Sequence, residues 1–327
     1  MTSDTLRLPA PGSLGAWVLA ARPKTLPVGV APVLLGMAVA YAAGAFSAGP
    51  ALAALVGSVL IQIGTNFAND LFDFRKGADT AARIGPVRAA AAGLLTPAQV
   101  RNGTVAAFGL ATLVGLYLVY VGGWPIVAIG IASILCGVAY TGGPYPLGWN
   151  GLGDLFVFVF FGPVAVAGTV WVQLHGLPNA GGTSLLVKLA ALPSAVWLAS
   201  LPVGALATAV LIVNNVRDLP TDAAVGKRTL AVRFGRRFGV VEYGAMLGLA
   251  AGAPVALWSA AFIPGAWFDS SGFLLLPLLT IPWGVMLLRT LARSTDGPTL
   301  NETLASTAKL GVVHAALFAI GIAVQAR

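Results

Sequence analysis

Two short polar segments of this chain carry carboxylate and amide side chains at the ends of long apolar runs. The first segment, residues 66–79, reads NFANDLFDFRKGAD, and the second, residues 214–222, reads NNVRDLPTD. Together they hold five of the eleven acidic residues of the chain, namely Asp70, Asp73, Asp79, Asp218 and Asp222. Carboxylates beside hydrocarbon are costly, and they therefore mark a candidate functional site.

The spacing of the second segment is helical. Asn214, Asp218 and Asp222 follow one another at intervals of four residues, so a continuous helix would present all three on one face. Pro220 is expected to bend the end of that helix.

The first segment repeats the four-residue interval at Asn69 and Asp73, with Asn66 one turn earlier. Gly77 breaks the series, so we expect Asp79 to return toward the others from a flexible turn. The two segments align with an offset of 145 residues, which suggests two related helical halves whose acidic ends face a shared cavity.

Facing carboxylate and amide oxygens are the ligands that Mg²⁺ prefers when it is held together with substrate phosphates. Basic residues follow each acidic segment, and we interpret them as partners for a diphosphate: Lys76, Arg83, Arg88, Lys227 and Arg228. A zinc site is excluded, because His175, His314 and Cys136 lie elsewhere and are expected to be ordinary packed or interfacial residues.

The amino-acid composition indicates the class of protein that positions these side chains. Of the 327 residues, 57% are hydrophobic and 9% are charged, which excludes a soluble globular enzyme, a disordered chain and a coiled coil. The net charge of +8 is read as cytoplasmic loops beside anionic lipid, and nucleic acid is not expected as a partner.

The apolar runs predict an all-α, multi-pass membrane protein with nine transmembrane helices in one bundle. A short apolar run, residues 14–21, is expected to form a shallow interfacial helix within an N-terminal segment, residues 1–26, ahead of a single domain spanning 27–327. The nine predicted helices lie near 27–47, 51–72, 99–121, 124–141, 151–173, 190–214, 239–263, 273–290 and 304–325.

The distribution of basic residues orients the bundle. With the N-terminus in the cytoplasm, 17 of the 19 Lys and Arg residues lie on the cytoplasmic side, leaving only Lys188 and Arg327 outside. Both acidic segments then face the cytoplasm. A lipid diphosphate fits this arrangement, since its tail can lie between helices while its head group reaches the metal.

These residues resemble the membrane-embedded aromatic prenyltransferases, which are nine-helix bundles with one Asp-rich motif after helix 2 and another after helix 6. Within that superfamily the first segment, continued by RIGPVR at 83–88, is similar to the branch that prenylates 1,4-dihydroxy-2-naphthoate in menaquinone biosynthesis. The motifs RPKT at 22–25, YTGGPYPLG at 140–148 and GLGDLFVF at 151–158 support this branch. The 4-hydroxybenzoate branch usually has an acid at the position of Gly77 and a Lys-Arg pair that is absent here.

The resemblance implies transfer of a polyprenyl chain from its diphosphate to dihydroxynaphthoate, with loss of CO₂ and diphosphate, to give demethylmenaquinone in a bacterial cell membrane. It implies Mg²⁺ ligands at Asn69, Asp73, Asp79, Asn214, Asp218 and Asp222. Catalytic roles fall to Asp70, Asp73, Asp218 and Asp222, with Asp70 a further participant around the metal site. Substrate contacts fall to Lys24, Asn66, Lys76, Arg83, Arg88, Tyr140, Lys227 and Arg228, of which Lys24 would meet the acceptor's carboxylate.

Three alternatives stay open at this point. Asp154 either is catalytic or caps a helix that begins after Gly153. The acceptor can instead be 4-hydroxybenzoate or homogentisate. A secondary transporter is the alternative from another class, but its acids would lie near the bilayer midplane rather than at helix ends.

Overall fold

The computed structural model describes residues 8–79, 84–175, 194–260 and 271–325, and within these ranges it contains helices and no strands. This confirms the predicted all-helical architecture. The α-helices are α1 (Leu14–Ala21), α2 (Pro27–Ala42), α3 (Ala48–Arg75), α4 (Pro97–Gly122), α5 (Trp124–Ala139), α6 (Gly153–Val159), α7 (Ala165–His175), α8 (Ser194–Arg217), α9 (Leu219–Ala224), α10 (Leu230–Ala260), α11 (Ile281–Arg293) and α12 (Gly297–Ala323).

Seven helical segments of the described chain are long and apolar enough to cross a membrane. The N-terminal residues 14–42 add an eighth if the pair bent by 52° is counted as one span, and α5, with 16 residues, is apolar but shorter. Each of the nine predicted segments thus coincides with a helix. The count reaches nine full spans only if the bent N-terminal pair and the short helix α5 are both counted as spans. Residues 190–193 and 261–263 of the predicted spans lie outside the described residues.

The first predicted span begins at Pro27 as expected but ends earlier than predicted. Helix α1 is present at the residues expected for an interfacial helix, and it is followed by its C-cap residue Arg22, whose φ of 53° lies in the left-handed region. A short 3₁₀ turn, Pro23–Thr25, then leads into α2, which ends at Ala42 rather than at residue 47. The left-handed residue reverses the chain and so produces the bend.

Three later spans are also irregular for identifiable reasons. Helix α10 begins at Leu230, nine residues earlier than predicted, because Gly235 (φ 83°, ψ 171°) permits a kink that joins a short basic turn to the main span. Residues 272–280 form a 3₁₀ segment before α11. Between α6 and α7 a π-helical turn, Phe160–Val164, surrounds Pro163, which has no N–H to donate.

Helix α8 lies at the centre of the bundle. Its apolar window is 78% buried, whereas no other candidate span exceeds 44%. It packs against α2, α6, α10 and α12, and Gly162 meets Gly204 where the π-helical turn crosses α8. The second polar segment therefore lies at the end of the central helix, and the first lies at the end of α3, which packs against α4.

Candidate active site

The first polar segment occupies the last turns of α3 and the turn that follows. Gly77 (φ 66°) terminates the helix: its N–H and that of Ala78 donate to the carbonyls of Phe74 and Asp73, at 3.0 and 2.9 Å. This is the hydrogen-bond pattern of a Schellman motif, in which a left-handed glycine follows the helix. The predicted break at Gly77 is therefore confirmed, and it turns the chain so that Asp79 comes back toward the helix end.

Asp73 and Asp79 meet at one arginine. Arg88 Nη2 donates to Asp73 Oδ2 at 3.2 Å, and Arg88 Nε lies 3.5 Å from Asp79 Oδ1. The side chains of the two aspartates and of Arg88 are all at most 10% exposed. Asp73 also accepts a hydrogen bond from Trp149 Nε1, at 3.3 Å to Oδ1.

Two other members of the segment contact neighbouring backbone. Asn66 Nδ2 donates to the carbonyl of Ala21 at 2.9 Å and to Thr25 Oγ1 at 3.2 Å, which ties the N-terminal segment to α3. Asp70 Oδ2 accepts from the N–H of Ala89 at 3.0 Å, while its Oδ1 is buried without a hydrogen-bond partner. An orphaned carboxylate oxygen in a buried site is suited to a ligand that the protein itself does not supply.

Asn69 and Lys76 both contact Thr141, in the loop that joins α5 to α6. Thr141 Oγ1 donates to Asn69 Oδ1, and Lys76 Nζ donates to the carbonyl of Thr141 at 2.6 Å. The ammonium also lies 4.6 Å from the centroid of the Trp149 ring. Partial burial lowers the pKa of Lys76, and the charge of Asp73 opposes that shift.

The second polar segment is divided between two helices, in agreement with the bend expected at Pro220. Helix α8 ends at Arg217, Asp218 leaves the helical region (φ −88°, ψ 4°), and α9 begins at Leu219. Pro220 lacks the N–H that a continuing helix would use, which favours the break. The N–H groups of Asp218 and Asp222 still donate to the carbonyls four residues earlier, at 3.0 and 2.8 Å, so the predicted helical spacing is kept.

A buried arginine organises this segment. Arg217 Nε and Nη2 donate to Asp218 Oδ1 and Oδ2 at 2.8 and 2.6 Å. The same Nη2 donates to Asn214 Oδ1 at 2.7 Å, and Nη1 donates to Asn301 Oδ1 of α12 at 2.7 Å. Asn301 in turn donates to the carbonyl of Ile84 at 3.4 Å, so this network reaches the chain that follows the first segment.

Asp222 lies close enough to the first segment to experience its charge. Lys227 Nζ is 3.2 Å from both of its carboxylate oxygens. Burial raises the pKa of Asp222, Lys227 opposes the rise, and the negative charges of Asp218 and Asp73 add to it. This influence and the hydrogen bonds from Arg217 through Asn301 to Ile84 agree with the prediction that the two acidic ends face each other.

Tyr140 lies beside this meeting point. Burial raises the pKa of its phenol, and the charges of Asp154, Asp73 and Asp222 raise it further. Its ring packs so closely on Gly148 that an added Cβ there would lie 2.8 Å from Tyr140 Cε1.

The remaining predicted residues are placed less directly. Lys24 and Arg228 are exposed, and the backbone N–H of Arg228 donates to the carbonyl of Trp149 at 2.7 Å. Arg83 lies outside the described residues. Asp154 does not cap α6, whose N-cap is Leu152; it lies in the first turn, 6% exposed, with its Oδ1 unpartnered.

An apolar cavity of about 480 Å³ lies between α2, α3, α4, α5 and the α6–α7 segment. Tyr140 lines this cavity, as do Phe156 and Phe160, whose rings stack at 6.2 Å. The cavity therefore reaches Tyr140, the residue at which the α5–α6 loop begins. Such a space accepts a hydrocarbon chain whose polar head stays beside the carboxylates.

The donor set suits Mg²⁺ shared with a substrate rather than a metal held by protein alone. Among the described residues no three His, Cys, Asp or Glu side chains form a ready metal cage. Mg²⁺ usually binds through one or two carboxylates plus substrate phosphates and water, and each acidic segment offers that number. Arg88, Arg217 and Lys227 form ion pairs with Asp73, Asp218 and Asp222, so the site combines carboxylates that suit a cation with basic groups that suit an anion.

Sequence reasoning missed four residues that shape the site. Arg217 was assigned only to membrane topology, although its position directly before Asp218 was a usable signal. Trp149, Thr141 and Asn301 carry no such signal, because each reaches the site from a distant helix or loop.

Comparison with known proteins agrees with this geometry. Residues 29–298 match the UbiA prenyltransferase family. A 1,4-dihydroxy-2-naphthoate octaprenyltransferase of Mycobacterium tuberculosis is 42% identical over 223 residues, covering 68% of this chain and 71% of the relative. The Escherichia coli protein of the same name is 34% identical over 313 residues, 94% of each chain. A UbiA homolog from Archaeoglobus fulgidus, bound to DMAPP and Mg²⁺, shares the fold with a TM-score of 0.57 at 14% identity, covering 93% of this chain and 99% of its own.

Proposed function

The chain belongs to the UbiA prenyltransferase family, and from that premise we propose that it transfers a polyprenyl chain to 1,4-dihydroxy-2-naphthoate in menaquinone biosynthesis. One observation carries the proposal: Trp149 donates to Asp73 of the first motif and accepts from the N–H of Arg228, which follows the second motif, so one loop joins both Asp-rich motifs. Tyr140, at the start of that loop, lines an apolar cavity. The Escherichia coli relative, which matches 94% of the chain, bears the name of this activity.

The donor is a polyprenyl diphosphate. Its tail lies in the cavity between α3, α4 and α5, and its diphosphate lies where the two motifs meet. Arg88 and Lys227 pair with Asp73 and Asp222 at 3.2 Å, and we propose that both turn from the acids to the phosphate oxygens. Lys76, Arg83 and Arg228 are further candidates around the head group.

Mg²⁺, when bound, neutralises charge on the departing diphosphate. The protein ligands proposed for it are Asn69, Asp73, Asp79, Asn214, Asp218 and Asp222. Asp70, with one oxygen free and buried, is proposed to hold water or phosphate next to them. The stacked rings of Phe156 and Phe160 face the cavity and can stabilise positive charge that develops on the allylic carbon.

The acceptor is an aromatic acid. A carbon–carbon bond forms between the ring and the allylic carbon, the bond from that carbon to the diphosphate oxygen breaks, and the carboxyl group leaves as CO₂. The product is the reduced form of demethylmenaquinone. We propose Lys24 for the acceptor's carboxylate, because Asn66 holds the neighbouring Thr25 against the first motif.

We further propose that the protein lies in a bacterial cell membrane with both motifs on the cytoplasmic side. The excess of Lys and Arg on one predicted side supports this orientation. Residues 27–327 are proposed to act as one domain, since the first and last long helices, α2 and α12, pack against each other.

The test is prenyl transfer by purified protein in lipid nanodiscs, supplied with Mg²⁺, a polyprenyl diphosphate and ring-labelled dihydroxynaphthoate. We expect a labelled lipid-soluble naphthoquinone, CO₂ release from carboxyl-labelled acceptor, and loss of both signals with EDTA. Prenylation of 4-hydroxybenzoate or homogentisate alone would refute the acceptor. Solute uptake that requires an ion gradient but no Mg²⁺ would favour a transporter instead.

A further inference from the structure

Trp149 joins the two halves of the site although neither polar segment contains it. Its Nε1 donates to Asp73 Oδ1 at 3.3 Å, and the centroid of its ring lies 4.6 Å from Lys76 Nζ. Its own carbonyl accepts from the N–H of Arg228 at 2.7 Å, in the segment that follows the second motif. One residue of the α5–α6 loop therefore touches both motif regions.

Lys76 contacts the Trp149 ring although its position in the sequence favours an ion pair with Asp73. Lys76 follows Asp73 by three residues, a spacing at which opposite charges on a helix readily pair. Within the described chain, however, the ion-pair partner of Asp73 is Arg88, and Lys76 forms no ion pair with it. The ammonium instead donates to the carbonyl of Thr141 and lies over the Trp149 ring.

A lysine ammonium on Asp73 would compete with a divalent cation for the same carboxylate oxygens. The present arrangement avoids that competition. The indole N–H uses one lone pair of Oδ1 and leaves another available, because a carboxylate oxygen accepts more than one bond. A cation over an aromatic face is stabilised without drawing on any carboxylate.

We propose that Trp149 is a positioning residue for the metal ligand Asp73: its N–H orients the carboxylate, and its ring holds Lys76 away from it. The inference rests on the proposed function insofar as Asp73 binds a divalent cation. The backbone hydrogen bond from Arg228 to Trp149 fixes the position of Trp149 relative to the segment that follows the second motif.

The experiment measures Mn²⁺ binding by electron paramagnetic resonance on the full chain in nanodiscs, with a non-reactive thiodiphosphate analogue of the donor present and no acceptor, because the proposed metal is shared with the diphosphate. Trp149→Phe keeps a ring over Lys76 but loses the N–H, so we expect roughly tenfold weaker binding. Trp149→Leu also releases Lys76 and should bind more weakly still. Adding Lys76→Met to Trp149→Leu should restore binding to about the level of Trp149→Phe, because the competing charge is gone. Trp124→Leu, at an exposed position on the other end of α5, is the control and should match the wild type.

A second measurement separates positioning from general damage. The Mg²⁺ concentration that gives half-maximal prenyl transfer should rise in Trp149→Phe, while turnover at saturating Mg²⁺ recovers. Wild-type affinity for Mn²⁺ in both single Trp149 variants would overturn the proposal, and so would failure of Lys76→Met to rescue Trp149→Leu. Wild-type protein that binds no Mn²⁺ would contradict the proposed metal site itself, which is a different result.

Discussion

Arg217 and Asp218 form a bidentate ion pair although they are adjacent in the chain, with 2.8 Å from Nε to Oδ1 and 2.6 Å from Nη2 to Oδ2. Their side chains are 0% and 4% exposed. Adjacent residues of a continuous helix do not face each other, so the pair depends on the end of α8 at Arg217. The helix break and the ion pair therefore determine together where the second motif points its carboxylate.

The first prediction concerns this arginine. Arg217→Lys keeps the charge but cannot reach Asp218, Asn214 and Asn301 at once, because lysine lacks the planar fork of guanidinium. Breaking a buried pair costs about 3–5 kcal/mol, so we expect a lower thermal midpoint in detergent and strongly reduced prenyl transfer. Arg237→Lys, at an exposed position of α10, is the matched control. Equal midpoints for the two variants would contradict the role given to Arg217.

The second prediction concerns the negative charge of Asp73. Asp73→Asn preserves size and one acceptor oxygen but removes the charge that a metal needs, so turnover should fall roughly 100-fold or more. Membrane protein level should stay normal. The control is Asp296→Asn, at the exposed N-cap of α12, because Asp and Asn cap helices equally well. Near-normal activity in Asp73→Asn would remove this residue from the metal site.

The third prediction concerns the length of the donor tail. Gly130 lines the apolar cavity, and an added Cβ would meet no atom within 4 Å. It lies ten residues before Tyr140 on α5, about 15 Å along the helix axis. Gly130→Leu should therefore fill the far part of the cavity, keep activity with geranyl diphosphate, and reduce activity with octaprenyl diphosphate roughly tenfold.

The matched control for the cavity is Gly109→Leu. Gly109 lies on α4, is exposed, and has equally open space around its Cβ, but it does not line the cavity. It should leave the preference among donors unchanged. An identical loss with short and long donors in Gly130→Leu would show that the tail does not lie along this wall.

The fourth prediction concerns the packing of the central helix. A Cβ added to Gly204 would lie 2.7 Å from the carbonyl oxygen of Phe158 and 3.1 Å from Gly162 Cα. Gly204→Ala should therefore push α6 away from α8 and lower stability by about 1–3 kcal/mol. Thermal unfolding in detergent measures this loss, with Gly109→Ala as the control. An unchanged midpoint in Gly204→Ala would mean that the two helices adapt without cost.

The sequence predicted the helices more reliably than their ends. Long apolar runs predicted every one of the nine segments, because a hydrocarbon environment requires such runs whatever the neighbouring helices do. The end of α2 at Ala42 and the start of α10 at Leu230, with its kink at Gly235, were missed, since a helix boundary outside the apolar run has no hydrophobic signature. The π-helical turn around Pro163 was missed for a similar reason: composition does not reveal hydrogen-bond register.

The carboxylates that we propose for the site stand out in the sequence alone. Asp73, Asp218 and Asp222 stand out because acids beside hydrocarbon are rare, and their helical spacing is local information. The expectation that both motifs meet followed from topology, and the electrostatic influence of Asp73 on Asp222 agrees with it.

Only the tertiary structure decided which groups satisfy those carboxylates. Trp149 reaches Asp73 from 76 residues away, and Asn301 reaches Arg217 from 84 residues away. The free-energy cost of a charged side chain beside lipid depends on a short stretch of chain, so composition and spacing are enough to predict it. The choice of partner depends on how distant helices pack, and that is set by side-chain shape across the whole bundle.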